Sequence, residues 1–133
     1  MAGRVVVSTL NNDTGVLATQ NGMTGIARAW VNFDGGNTNT AGTINGSFNV
    51  SSITVNGTGD FTVNFTTAMP NANYSVQCSG QRENTGSNVN LITNVSSNGG
   101  ANSILAGSVR VGSANDGGTS VVCYKYCVAV HSS

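Results

Sequence analysis

The chain has 133 residues, of which five basic residues balance five acidic ones, so that only 8% are charged and the formal net charge is zero. A neutral chain without a run of Lys or Arg lacks the clustered positive charge that binds nucleic acid backbones. No apolar run is long enough to span a bilayer. Asn, Ser, Thr and Gly dominate while Leu, Glu and Lys are scarce, which disfavours a helical bundle.

The length allows one domain. With 38% hydrophobic residues, we expect a thin core within a single chain, and a net charge near zero favours association. We therefore expect further copies of the chain to cover much of the surface, with hydroxyls and amides on the rest.

The first part of the chain is polar and rich in turn residues. Residues 4–10 (RVVVSTL) are compatible with a first strand or an arm, and residues 11–24 show no strand alternation. We predict an extended amino-terminal arm over residues 1–24, followed by a single domain over residues 25–133.

A strand is predicted over residues 25–33 because apolar and polar side chains alternate there. One face carries Ala27, Ala29, Val31 and Phe33, and the other carries Ile26, Arg28, Trp30 and Asn32. We expect Trp30 to lie in the core or at a subunit contact. An exposed aromatic face that binds sugar is the alternative.

A β-hairpin is the clearest local prediction. Strand alternation shifts by one residue at Ser51-Ser52, which indicates a bulge or a break between two strands. Residues 56–60 (NGTGD) then form a predicted five-residue loop, because Asn-Gly tolerates positive φ. Beyond it, Phe61, Val63 and Phe65 share a face that we expect to point into the core.

Later strands are predicted over residues 73–79, 88–95, 103–111 and 120–130. The last is apolar on both faces, which is typical of a central strand or of one that contacts another subunit. Seven to nine short strands predict an all-β fold, an antiparallel, jelly-roll-like β-sandwich.

The three cysteines, Cys78, Cys123 and Cys127, do not suggest a disulfide framework, because their number is odd and no secretion signal precedes them. Cys123 and Cys127 lie roughly 13 Å apart along one strand, too far to pair. We expect buried thiols, and a link from Cys78 to Cys123 or Cys127 is the alternative.

Four consecutive segments carry a resemblance to a known module. They are Ala29-Trp30-Val31-Asn32-Phe33, Asn49-Val50-Ser51-Ser52-Ile53-Thr54, Gly59-Asp60-Phe61-Thr62-Val63-Asn64-Phe65 and Met69-Pro70-Asn71-Ala72-Asn73-Tyr74. In order and spacing, residues 25–79 resemble the carboxyl-terminal β-rich module of tailed-bacteriophage tail-fibre and virion-surface proteins.

The resemblance implies a homotrimer that is exposed on the virion and made in the host cytoplasm. The amino-terminal residues predict no signal peptide, because their apolar stretch is too short. The resemblance also implies a tail-fibre type of structural protein that contributes to host attachment and binds other phage structural proteins through residues 1–24. Because the arm is short, a capsid decoration protein that stabilises the head is the alternative. A small glycan hydrolase is a weaker third hypothesis.

The sequence predicts no catalytic, cofactor-binding or metal-binding residues. His131 has no nucleophile motif beside it, and we expect it in a frayed tail. Most acidic residues adjoin Gly, which is typical of turns, and Asp34 lacks the ligand pattern of a calcium loop.

Receptor contacts, if made, are predicted in four amide-rich loops over residues 34–45, 80–88, 97–102 and 113–119. Their side chains suit hydrogen bonds to sugar hydroxyls or to a host protein. The candidate receptor-contact residues are Asn37, Asn39, Arg82, Glu83, Asn84, Asn98, Asn115 and Asp116.

Overall fold

The computed structural model describes residues 26–36, 41–82, 92–95, 103–115 and 117–132, and within these ranges it contains nine β-strands and no helix. The strands are β1 (Ala29–Asp34), β2 (Ile44–Phe48), β3 (Val50–Gly57), β4 (Asp60–Phe65), β5 (Ser75–Arg82), β6 (Ile92–Val95), β7 (Ile104–Leu105), β8 (Ser108–Ala114) and β9 (Cys123–His131). The predicted arm over residues 1–24 and the predicted strand over residues 4–10 lie outside the described residues.

The strands form two antiparallel sheets. The first sheet has the order β2-β1-β9-β5, and the second has the order β3-β4-β8-β6 with the short β7 also paired to β8. Their inner faces meet in a sandwich-like arrangement, which confirms the all-β prediction. Strand β9 lies between β1 and β5, as its two apolar faces predicted.

The core closes within one chain. Three fully buried aromatic rings contact each other across the two sheets, with centroid distances of 5.2 Å for Phe33–Phe61, 5.1 Å for Phe33–Tyr126 and 5.0 Å for Phe61–Tyr126. Phe61, Val63 and Phe65 all point inward, as predicted. Buried valine side chains fill the space around these few large rings.

The β3–β4 hairpin differs from its prediction in the turn. Gly57 pairs with Asp60, so the loop has two residues, Thr58 and Gly59, rather than five. The positive φ of 64° falls on Gly59 and not on the Asn-Gly pair. The predicted irregularity at Ser51 is confirmed by a register shift between Val50 and Ser52.

Asn49 connects the two sheets. It has a φ of 55° and lies between the last residue of β2 and the first of β3. Its side-chain amide donates to the carbonyl oxygens of Arg28 (3.1 Å) and Thr67 (3.0 Å), and its Oδ1 accepts from the Thr67 amide at 2.7 Å. The crossing between sheets is thus fixed by one polar side chain, since Asn tolerates the left-handed region.

Two predicted strands were wrong in detail. Residues 103–111 form β7 and the start of β8, joined by a tight turn at Ala106-Gly107, because Ser108 pairs back onto Leu105. The strand predicted over residues 120–130 is β9 (Cys123–His131). Its pairing with β5 shifts register where Arg82 pairs with Cys123. This bulge turns Cys123 inward and Tyr124 outward, the reverse of regular alternation.

All three cysteines carry thiols, with no disulfide among them. Cys78 pairs with Val128 and shares its inward direction, whereas Cys127 points outward and is exposed. The alternative of a Cys78 disulfide is therefore wrong, and so is the expected burial of Cys127.

Candidate functional sites

The strand directions give the sandwich two different ends. Strands β1, β3, β5 and β8 all finish at one end, where β2, β4, β6 and β9 begin, and we call this the loop end. Pairing of Asp34 with Lys125, Arg82 with Cys123 and Gly57 with Asp60 places these termini together.

The opposite end, which we call the arm end, holds Ile26 and the last residues of β9. The Arg28 amide donates to the Val130 carbonyl at 2.7 Å, and Ser75 pairs with His131. The predicted frayed tail is wrong for His131, because it closes β9 against β5. Strand β9 has nine residues, so the two ends lie roughly 27 Å apart.

Close backbone contacts seal the loop end. The Gly35 amide donates to the Tyr124 carbonyl at 3.1 Å, and a Cβ on Gly35 would lie 1.9 Å from the Cys123 carbonyl oxygen. A Cβ on Gly59 would lie 2.2 Å from the Val121 carbonyl oxygen. Only glycine fits at these two positions, so neighbouring turns pack directly on the β8–β9 connection.

A buried polar cluster lies beneath these turns. The Ser113 hydroxyl donates to the Val121 carbonyl at 2.5 Å, and it also hydrogen-bonds the Tyr126 hydroxyl. Because the Ser113 proton is used, Tyr126 is the donor in that pair. Burial raises the pKa of Tyr126 and the pKa of the neighbouring Cys123 thiol. A buried thiol held in its protonated form is a poor nucleophile, so the cluster is structural.

An ion pair stands beside this cluster. The Arg110 guanidinium forms a fork with Asp60, with Nε donating to Oδ1 at 2.8 Å. The hydrogen bond to Asp60 raises the pKa of Arg110. Asp60 is 7% exposed, so this carboxylate is committed to Arg110 and to fixing the start of β4 on β8.

Two of the candidate receptor-contact residues, Arg82 and Asn115, lie at the loop end. Strand β5 ends at Arg82, and Asn115 follows β8 directly. The predicted loops over residues 34–45, 80–88 and 113–119 all leave from this end, whereas Asn98 falls in the connection between β6 and β7. Outside the described residues lie Asn37, Asn39, Glu83, Asn84, Asn98 and Asp116.

Asn115 has an internal structural role. Its Oδ1 accepts from the Thr119 amide at 2.8 Å, and its own amide donates to the Thr119 carbonyl at 2.9 Å. The Gly118 amide donates to the Asn115 carbonyl at 3.0 Å. Asn115 therefore holds the β8–β9 turn in shape, and its side-chain oxygen already has a partner.

The outer face of the first sheet carries the second candidate site. Trp30 is 44% exposed and pairs with Phe48, which is 51% exposed. Placement of Trp30 in the core is therefore wrong. Residue-type alternation gave the face of Trp30 correctly, but Phe48 was not predicted, because the sequence does not show which strand pairs with β1.

Asn32 lies on the same face in a fixed orientation. Its Oδ1 accepts from Asn45 at 3.0 Å, and its Nδ2 donates to the Cys127 sulfur at 3.0 Å. The Asn45 amide also donates to Asp34 Oδ1 at 3.0 Å. The Asp34 side chain thus links the ends of β1 and β2. Among the described residues, no three His, Cys, Asp or Glu side chains are grouped to hold a metal ion.

Comparisons with protein-family models, with curated proteins and with solved structures find no match to this chain. In the described part of the chain, no helix is long and apolar enough to cross a membrane. Functional conclusions therefore rest on the geometry of the two candidate sites and on the resemblance of residues 25–79.

Proposed function

We propose that this chain is a bacteriophage virion protein of the tail-fibre type, exposed on the particle and contributing to host attachment. The observation that supports it most is that the sandwich has two different ends. Residues 1–25 precede the described fold at the arm end, and three of the four predicted receptor loops leave from the loop end. An attachment protein needs this separation, because one end holds the particle while the other reaches the host.

The residues that carry the resemblance have structural roles that suit a rigid adaptor. Asn49 fixes the crossing between sheets, and Gly59 seals the loop end. The Tyr74 hydroxyl contacts the carbonyl oxygens of Leu105 and Ser108 at 2.8 Å and 3.0 Å. A scaffold fixed in this way can carry variable loops without changing its own fold.

The proposal includes a homotrimer with jelly-roll-like connections. Because one chain closes its own core, trimer contacts must use the outer surfaces, the edge strands or residues outside the described ranges. Light scattering at micromolar concentration should give about three times the chain mass of 13.4 kDa. A monomer of that mass would contradict the trimer.

We propose binding rather than catalysis, because the described carboxylates have structural partners. Asp60 pairs with Arg110, and Asp34 accepts from Asn45. A glycosidase needs two carboxyl groups facing one cleft at a set separation. Release of reducing sugar from host polysaccharide by the purified protein would contradict this part of the proposal.

Immunogold labelling tests the location. Virions are purified from the phage or induced prophage whose genome encodes this chain, and gold-labelled antibodies against the protein are imaged. Label at the tail tip is the expected result. Label over the head would support the decoration protein instead, and unlabelled particles that lack the protein by mass spectrometry would contradict both.

Competition for adsorption tests the attachment role. The purified protein should slow the adsorption of that phage to its host in a dose-dependent manner. Heat-unfolded protein at the same concentration is the matched control. Equal adsorption rates with and without folded protein, at concentrations that coat the cells, would contradict host attachment by this chain.

A further inference from the structure

The outer face of the first sheet carries a groove of about 490 Å³ that runs across β1, β9 and β5. Pairing aligns its walls and floor, because Trp30 and Gln77 both pair with Ala129, while Asn32 and Ser79 both pair with Cys127. We call it the outer groove, and define it by Trp30, Asn32, Gln77, Ser79, Cys127 and Ala129.

The chemistry of the outer groove is aromatic, amide-lined and neutral. Trp30 forms one wall, and its ring edge rests against Gly46, where a Cβ would lie 3.5 Å from two ring carbons. Small side chains form the floor, and the exposed Gln77 stands opposite Trp30. None of the described residues that line the groove is charged, so the lining itself is neutral.

The exposed aromatic area on this face is of the size that one small ligand covers. Aromatic side chains bury about 150–250 Å² each when covered, so Trp30 and Phe48 together expose roughly 200 Å². The groove volume lies in the range of ordinary small-molecule sites, about 300–1,000 Å³.

A sugar ring matches this arrangement. Its apolar CH face packs on an aromatic ring, and its hydroxyls need neutral donors and acceptors beside that ring. The Asn32 amide is held by Asn45 and Cys127 before any ligand arrives, and such preorganisation lowers the cost of binding.

We propose that the outer groove binds a neutral hexose or N-acetylhexosamine residue, stacked on Trp30 and hydrogen-bonded by Gln77, Asn32 and Ser79. The site is separate from the loop end and does not depend on where the protein is located in a virion. As the receptor class for the proposed attachment role, it would direct the particle to neutral surface glycans.

Intrinsic fluorescence reports on this site directly, because Trp30 is the only Trp in the chain. The full-length protein is titrated with methyl β-D-glucopyranoside, methyl β-D-galactopyranoside, N-acetyl-D-glucosamine and N-acetyl-D-galactosamine. At least one should change the emission saturably, with a Kd on the order of 1 mM, as expected for a ligand of this size. D-glucuronate, the charged analogue, should bind more weakly than its neutral counterpart.

Variants assign the binding to the groove, with saturation-transfer NMR on the sugar as the common readout. Trp30→Ala and Gln77→Ala should each weaken binding, the first by about tenfold, and Trp30→Phe should keep part of the affinity. Tyr124→Ala is the matched control, since Tyr124 is 42% exposed on the same strand as the groove floor but outside the groove. Unchanged thermal midpoints would show that the variants are folded.

Three results would overturn the proposal. One is no saturable response to any of the sugars up to about ten times the expected Kd. Another is binding that survives Trp30→Ala. The third is Trp30 emission that depends on protein concentration without sugar, with Trp30→Ala lowering the oligomer mass, which would assign this face to a subunit contact. Because none of these tests uses virions, their failure is distinct from failure of the immunogold experiment.

Discussion

The two faces of β1 differ in their exposure to solvent. On the inner face, Ala29, Val31 and Phe33 are at most 2% exposed, and Phe33 stacks on Tyr126. On the outer face, Trp30 is 44% exposed beside a neutral groove. The largest side chain of the strand is therefore the one that the core does not use, which makes it available to a ligand.

The comparison is tested most strongly by replacing one phenylalanine on the inner face and one on the outer face. Phe61→Ala should destabilise the protein by about 3–5 kcal/mol, because it removes a ring that contacts both Phe33 and Tyr126. Phe48→Ala, on the outer face, should change stability by less than about 1 kcal/mol. Urea unfolding of both variants gives the free energies. Equal losses would show that the inner and outer faces are wrongly assigned.

The next largest effect is expected at Gly59, which packs against the β8–β9 connection at the loop end. Gly59→Ala should cost about 2–4 kcal/mol, because a side chain there is strained at positive φ and meets the Val121 carbonyl. Gly57→Ala is the matched control, since nothing lies within 4 Å of its Cβ position. It should stay within about 0.5 kcal/mol. A tolerated Gly59→Ala would contradict the closed loop end.

Asn49 tests how the chain passes from one sheet to the other. Asn49→Ala should cost about 2–3 kcal/mol, because it strains a left-handed backbone and removes three side-chain hydrogen bonds. Asn49→Gly relieves the strain but also loses the hydrogen bonds. Its loss in free energy of unfolding should therefore be about 1 kcal/mol smaller than that of Asn49→Ala. If the two variants are equally stable, the backbone at residue 49 is not left-handed.

Alkaline pH should lower the free energy of unfolding through titratable groups that are buried on the inner face. Burial raises the pKa of Cys78 from 9.0 to about 11 and that of Tyr74 from 10.0 to about 12. Both groups bind their proton more tightly when folded, so the stability that they contribute is full below pH 9 and falls as the pH rises from there towards 12. Urea midpoints across this range measure the loss. Cys78→Ala should reduce its earlier part, to which the buried Cys123 thiol also contributes because burial raises its pKa. An unchanged profile in that variant would rule out the Cys78 thiol as a cause.

Strand alternation predicted the inner face well, because Phe61, Val63 and Phe65 follow a strict period of two. It could not show that the core closes within one chain, since composition does not reveal how three rings stack across two sheets. The turn at Gly59 was missed because Gly57 and Gly59 can both adopt positive φ. The bulge at Tyr124 was missed because it depends on a partner strand that is distant in sequence. The outer groove was also missed, because Gln77 and Trp30 lie on the same groove only through their common pairing with β9.

The central claim is that Trp30 lies on an open outer face, where the core does not need it and a ligand can reach it. Acrylamide quenching of tryptophan fluorescence in the native protein tests this directly, because a single Trp gives the whole signal. We predict quenching close to that of the urea-unfolded chain, together with an unchanged unfolding midpoint for Trp30→Ala. Strong protection from quenching in the native protein would contradict the claim, because it would place Trp30 in a core or beneath another chain.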